Sequence, residues 1–317
     1  MKFSVMSAIG FVGGIVFGIL SLTQSGKLVL PQDSKRPGTN GAERQIQAFN
    51  PAAMSGDQLP PARPNVAEVV AGSGLATAPE MESNLRYKVQ LLERGKKTLQ
   101  GVTDYTATLQ KQELIRGTLL AEQVLSIKCR NNPFSVYLLW LSGDEGREVI
   151  FVDGLNNGNL IAHDGGWKSR IPAISLHPEG SLAMRDTRYP VTEAGLLGLI
   201  TVMIGIHQDD LSKSNFLSCE IDKHHQFDGR PCYLFTTKYK SAMESPIYRK
   251  SITLIDREWS VPVKSRQFEW PRNGAVFADG ELDGGTLLES YAFTDVKLRC
   301  NLKDLDFDRT NQEYHFH

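Results

Sequence analysis

Cysteine is scarce in this chain: four in 317 residues, at positions 129, 219, 232 and 300, with no Cys-x-x-Cys pair. That spacing excludes a zinc ribbon and a thioredoxin-like redox motif. An excess of charge of either sign is also missing. Thirty-five Lys and Arg stand against thirty-six Asp and Glu, a net charge of −1, which argues against gripping nucleic acid through its phosphates. No Gly-x-Ser-x-Gly elbow occurs, so the strand-to-helix nucleophile of many hydrolases is absent. At 41% hydrophobic and 22% charged residues, the composition fits neither a disordered chain nor a multi-span membrane protein.

What is present is unevenly distributed. Phe3 to Leu22 is an uncharged run of twenty residues, which as a helix covers about 30 Å, the thickness of a bilayer's hydrocarbon. A membrane anchor is expected over residues 1–25. The alternative is a cleaved secretory signal ending near Thr23-Gln24-Ser25. Gly10, Gly14 and Gly18 recur every fourth residue, a spacing that suits helix pairing and makes the anchor a candidate dimer contact. Residues 26–81 hold seven of the fifteen prolines, six glycines and one aromatic, Phe49. Too little apolar surface is available there to offset the entropy of ordering, so a flexible tether spanning on the order of 40 Å is expected.

Residues 82–317 contain all four Trp and all four Cys and are expected to form one domain. A helix is predicted from Met81 to Gly101, with Leu85, Val89, Leu92 and Leu99 at helical spacing and Gly95 weakening its middle. Strands are predicted over Leu125–Arg130, Phe134–Leu141, Glu148–Val152 and Leu160–His163, the last two joined through Asp153-Gly154 and Asn157-Gly158. Phe134–Leu141 is apolar on both faces and should be covered on both. After Pro190, Thr192 suits an N-cap for a nearly all-apolar helix through Leu197, Ile200, Met203 and Ile204 to about Ile206. Strands then follow over Phe216–Asp222, Cys232–Lys240, Tyr248–Ile255, Val261–Trp270 and Leu287–Leu298. This order is α+β, and the short connections require antiparallel neighbours. A two-residue turn at Asp228-Gly229 sets Cys232 opposite His225 and Cys219 opposite Lys238, too far apart for those two thiols to bridge.

Few residues carry recognisable chemistry. In Met184-Arg185-Asp186-Thr187-Arg188-Tyr189-Pro190 a carboxylate sits between two guanidinium groups, which suits either a clamp on Asp186 that ties down the loop or capture of an anionic group. His163-Asp164 at a hairpin end is half of a general-base pair with no nucleophile beside it. His224 and His225 point to opposite sides of a strand, and His315 and His317 lie at an end expected to fray. No catalytic residue, metal site or cofactor is expected.

Three stretches carry a family resemblance: Gly146 to Gly154 (GREVIFVDG), Leu182 to Leu197 (LAMRDTRYPVTEAGLL) and Leu305 to Asp308 (LDFD). They resemble the bacterial domain of unknown function 1571, over about Leu92 to Phe316. That family is similar in layout to the LolA, LolB and RseB group of lipoprotein carriers and periplasmic sensors. The resemblance implies a strongly curved antiparallel sheet, an incomplete barrel wrapped around helices, enclosing an apolar cavity. It implies an inner-membrane-anchored, periplasm-facing protein, or one released to the periplasm after signal cleavage. It also implies a non-enzymatic domain binding an acyl chain, a lipid or a lipidated protein, with Phe134, Trp140, Phe151, Leu197, Ile200, Met203, Tyr233, Phe235, Tyr291 and Phe293 as candidate wall residues. The alternative is a sensor or scaffold of the same fold acting through Arg185, Asp186, Arg188 and Tyr189, in which reversing Arg188 would spare stability. An enzyme would need His163, Asp164, Arg185 and Asp186 to converge.

Overall fold

A computed structural model describes residues 78–272, 275–278 and 280–316. The described residues all fall within one of the chain's two units. The stretch 3–22, with Gly10, Gly14 and Gly18, and the tether up to residue 77 lie outside the described residues. Among the described residues no helix is long and apolar enough to cross a membrane.

The chain enters through α1 (Ala78–Gln100), which buries Leu85, Val89, Leu92 and Leu99 as their spacing requires. Close packing demands glycine at position 95, because a Cβ there would collide with the backbone carbonyl of Ser260. Next come β1 (Asp104–Ile115), β2 (Thr118–Leu119), β3 (Gln123–Asn131), β4 (Phe134–Ser142), β5 (Glu148–Val152), β6 (Leu160–His163) and β7 (Ile174–Leu176). After α2 (Gly195–Leu211) the chain returns to strands: β8 (Leu217–Phe227), β9 (Arg230–Tyr239), β10 (Lys250–Asp256), β11 (Pro262–Phe268) and β12 (Leu287–Leu298).

All described strands join one antiparallel sheet in the order β7-β6-β5-β4-β3-β1-β12-β11-β10-β9-β8, with β2 attached to β1. The sheet does not close, since β7 and β8 are its two ends. Helices α1 and α2 pack on each other, with α1 also against β8 and α2 against β11. Their shared core includes Tyr105, Leu109, Leu125, Leu138, Phe235 and Phe293. The opposite face of β4, β5 and β6 is covered by the C-terminal tail, where Phe307, Tyr314 and Phe316 pack on Tyr137, Ile150, Val152 and Ile161. Both faces of β4 are therefore covered as far as Trp140, whereas Leu141 near its end is 47% exposed, short of what its composition suggested.

Three expectations need correction, and one strand was not foreseen. The tail is held in place through Phe316: the His315 amide donates to Glu148 Oε2 (2.8 Å), and Tyr314 stacks on Tyr137 at 4.0 Å. Thr192 caps nothing. It lies in a separate 3₁₀ turn, Val191–Glu193, and α2 starts at Gly195, where the Leu196 amide donates to the Tyr105 hydroxyl oxygen (2.7 Å). Cys219 faces Thr237 rather than Lys238, because the ladder is irregular between Asp222 and His225; Cys232 faces His225 as expected. All four cysteines are free. Finally, β1 was not anticipated, although it lies between β3 and β12 near the middle of the sheet.

Candidate functional site

The side chains of β1 that face the helices are Tyr105, Ala107, Leu109, Lys111 and Glu113, a period-2 row that starts apolar and ends charged. The register continues each member across the sheet. Leu109 faces Phe293 and Leu125, Lys111 faces Tyr291 and Gln123, and Glu113 faces Glu289. Ser265 faces Tyr291, and Gln267 faces Glu289. An apolar floor therefore passes into a polar one on a single sheet face.

Over this transition the chain leaves a half-open cleft of about 160 Å³. Its floor is Leu109, Leu125, Leu138, Trp140 and Phe293, its roof Leu199, Val202, Met203 and Ile206 of α2, and one side the segment from Ala183 to Gly195. The polar end is a network built on two buried carboxylates, Glu113 and Glu289. Lys111 Nζ pairs with Glu113 Oε2 (3.1 Å), and the Tyr291 hydroxyl donates to Glu113 Oε1. Arg188 Nε pairs with Glu289 Oε2 (2.7 Å), and the Tyr189 hydroxyl donates to Glu289 (3.1 Å). Burial pushes the Glu289 carboxyl above its ordinary value and Glu113 adds to the effect, while Arg188 and Tyr189 oppose it. Burial likewise pushes the Tyr189 and Tyr291 hydroxyls up, and both stay protonated.

Of the expected wall residues, Trp140, Met203, Tyr291 and Phe293 line this cleft. Phe151, Ile200 and Phe235 are buried in the adjoining core, and Phe134, Leu197 and Tyr233 pack against it half-buried. In the loop, Asp186 and Tyr189 line the cleft. Arg185 pairs with Asp186 (3.0 Å) at the exposed surface. Arg188 does not clamp Asp186, because it turns inward to Glu289, whose side chain is only 6% exposed. Reversing Arg188 would set a third carboxylate beside Glu289 and Glu113, so it cannot leave stability untouched.

His163 faces the opposite side of the sheet, beside Phe316, with Nε2 3.0 Å from the Ser169 carbonyl. Asp164 is exposed, and Asp186 belongs to the cleft on the helix-covered side. The four residues considered for an enzyme do not converge. Among the described residues no group of three or more His, Cys, Asp or Glu is placed to hold a metal ion.

Sequence reasoning missed the polar end: Lys111, Glu113, Ser265, Gln267 and Glu289. The available signal was alternation, since Glu113 and Glu289 each stand in phase with an apolar row (Leu109; Phe293) rather than on the solvent face.

Fold and site together define an open antiparallel-sheet domain with an apolar, polar-ended cleft beneath a helix. The chain belongs to the family described as "Protein of unknown function (DUF1571)", whose profile matches residues 102–316, from just after α1 to the end of the tail. Comparison with curated proteins finds no match. Among solved structures, the Mycobacterium tuberculosis lipoprotein LppX is similar at 12% identity, over 70% of this chain and 99% of that one, with a TM-score of 0.40. The Pseudomonas aeruginosa MucA/MucB complex is similar at 15% identity, over 70% of this chain and 60% of that one, with a TM-score of 0.40. A LolA superfamily protein from Nitrosomonas europaea is similar at 11% identity, over 69% of this chain and 96% of that one, with a TM-score of 0.28.

Proposed function

We propose that this domain is a non-enzymatic, envelope-facing module that binds an apolar ligand: an acyl chain, a lipid or the lipid of a lipidated protein. The observation that carries the reading is the half-open cleft of about 160 Å³ between the β1, β3, β4 and β12 floor and α2. Curling of the sheet supports it. One continuous core runs from Leu160 on β6 to Leu217 on β8, strands that a flat sheet would hold roughly 40 Å apart, and two helices cover only about 20 Å of that width. The anchor over residues 3–22, its pairing through Gly10, Gly14 and Gly18, and a periplasm-facing orientation belong to the same proposal.

Leu199 is half-buried on α2 and lines the cleft, so Leu199→Trp fills the space with the fold intact. With the full-length chain held in amphipol, a fluorescent fatty-acyl ester should bind at micromolar concentration and lose at least about tenfold in affinity in the variant. Failure of the unaltered chain to take up the probe, or equal binding by a folded Leu199→Trp chain, overturns the assignment.

A further inference from the structure

Two residues that line the cleft each carry a hydrogen-bond donor with no acceptor among the described residues. Trp140 Nε1 and Arg147 Nε are buried without a partner among the described residues, and both side chains line the cleft. They are neighbours. The Trp140 amide donates to the Arg147 carbonyl (2.9 Å) across the β4–β5 hairpin, and the Arg147 guanidinium lies over the indole at 4.9 Å from its centre. Indole and guanidinium nitrogens only donate, so what completes them must be an acceptor.

Charge decides which kind of acceptor. The cleft is lined by four carboxylates, Glu113, Asp186, Glu193 and Glu289, against two cations, Lys111 and Arg147. Each nearby cation already has a carboxylate partner: Lys111 has Glu113, Arg147 has Asp144 (3.3 Å), and Arg188 has Glu289. Drawing Lys111 or Arg188 toward an incoming anion would leave a buried carboxylate uncompensated, which is strongly unfavourable. A neutral carbonyl oxygen accepts from both N–H groups and brings no charge.

Building on the reading of the cleft as an apolar-ligand site, we propose that its occupant is an acyl chain carried as an ester or amide. The carbonyl oxygen accepts from Trp140 Nε1 and Arg147 Nε, and the free fatty acid is disfavoured. Trp140 thus selects the linkage at the head of the chain, while the aliphatic floor takes the chain itself.

The test compares three twelve-carbon probes on the full-length chain at pH 8: monolauroylglycerol, the matching dodecyl glyceryl ether, which lacks the carbonyl, and laurate. The ester should bind about thirtyfold tighter than the ether, the worth of two net hydrogen bonds, and at least tenfold tighter than laurate. Trp140→Phe keeps a ring and deletes the donor. It should weaken the ester about fivefold and leave the ether unchanged. Laurate binding as tightly as the ester, or Trp140→Phe weakening ester and ether alike, overturns the inference while the cleft assignment stands. If none of the probes binds, both fall. Should Trp140→Phe fail to fold, the ester–ether–laurate comparison on the unaltered chain decides alone.

Discussion

His207 is buried on α2, its Nδ1 2.9 Å from Asp210 Oδ2, an oxygen that also accepts from the Tyr239 hydroxyl (2.7 Å). Burial, and then the charge of the equally buried Lys88, push the imidazole down to about 4, although Asp210 pulls the other way. A histidine harder to protonate folded than unfolded stabilises the fold above its unfolded value, and that stability is lost as pH falls toward the folded value. The window here runs from about 6.5 down to about 4, and the loss should reach about 3 kcal/mol. Urea midpoints across that window should fall more steeply for the unaltered chain than for His207→Gln, in which the raised carboxyl of Glu289 acts in the opposite sense; parallel slopes would refute the assignment. Asp306 and Asp283 do not confuse the reading. Burial pushes each up, but bonds from Lys128 in one case and from Lys250 and Arg249 in the other hold them below the ordinary value. Their stabilisation is lost only below about pH 4. At this scale the sequence hid its polar interior. Lys88 sits in phase between Leu85 and Leu92 on the buried stripe of α1, where composition alone suggests a solvated lysine.

At the scale of elements, the start of α2 is the most exacting junction. Gly195 has φ +84°, and a Cβ there would collide with the Tyr105 hydroxyl, the group that accepts from the Leu196 amide. Glycine is required twice over, by backbone conformation and by close approach. Gly195→Ala should destabilise by about 2–4 kcal/mol, and Tyr105→Phe, which strands a buried N–H, by about 1–2 kcal/mol. Chemical denaturation measures both, and a Gly195→Ala chain as stable as the parent would contradict the account. The sequence pointed to Thr192 because Ser and Thr cap helices locally, whereas the group in use comes from β1, ninety-one positions away. Strands with strong alternation or continuous apolar runs, such as β4, β5 and β9, were legible for the same local reason. β1 was not, because Lys111 and Glu113 interrupt its apolar row. These residues obscured the strand because they build the polar end of the cleft.

For the whole molecule, adjacent strands joined by short turns could be paired from sequence, and the antiparallel character and the family followed. The β1–β12 pairing and the C-terminal tail on the outer face could not, since each joins segments over a hundred residues apart with no turn between them to mark the register. Those two long-range features set the size of the cleft: β1–β12 pairing forms its floor, and the tail braces β4 from behind. About 160 Å³ is close to the engineered cavity of about 150 Å³ that admits benzene, a space for about six carbon atoms. A chain entering it should gain about 0.8 kcal/mol, or about fourfold in affinity, for each methylene that becomes fully buried. Further methylenes would lie in the open mouth, half in water, and contribute much less. Competition binding with monoacylglycerols from four to fourteen carbons should therefore rise steeply to about six carbons and then flatten. A slope that stays steep to fourteen would mean that the roof moves, with α2 parting from the sheet along Leu199, Val202 and Met203 to admit the rest of the chain.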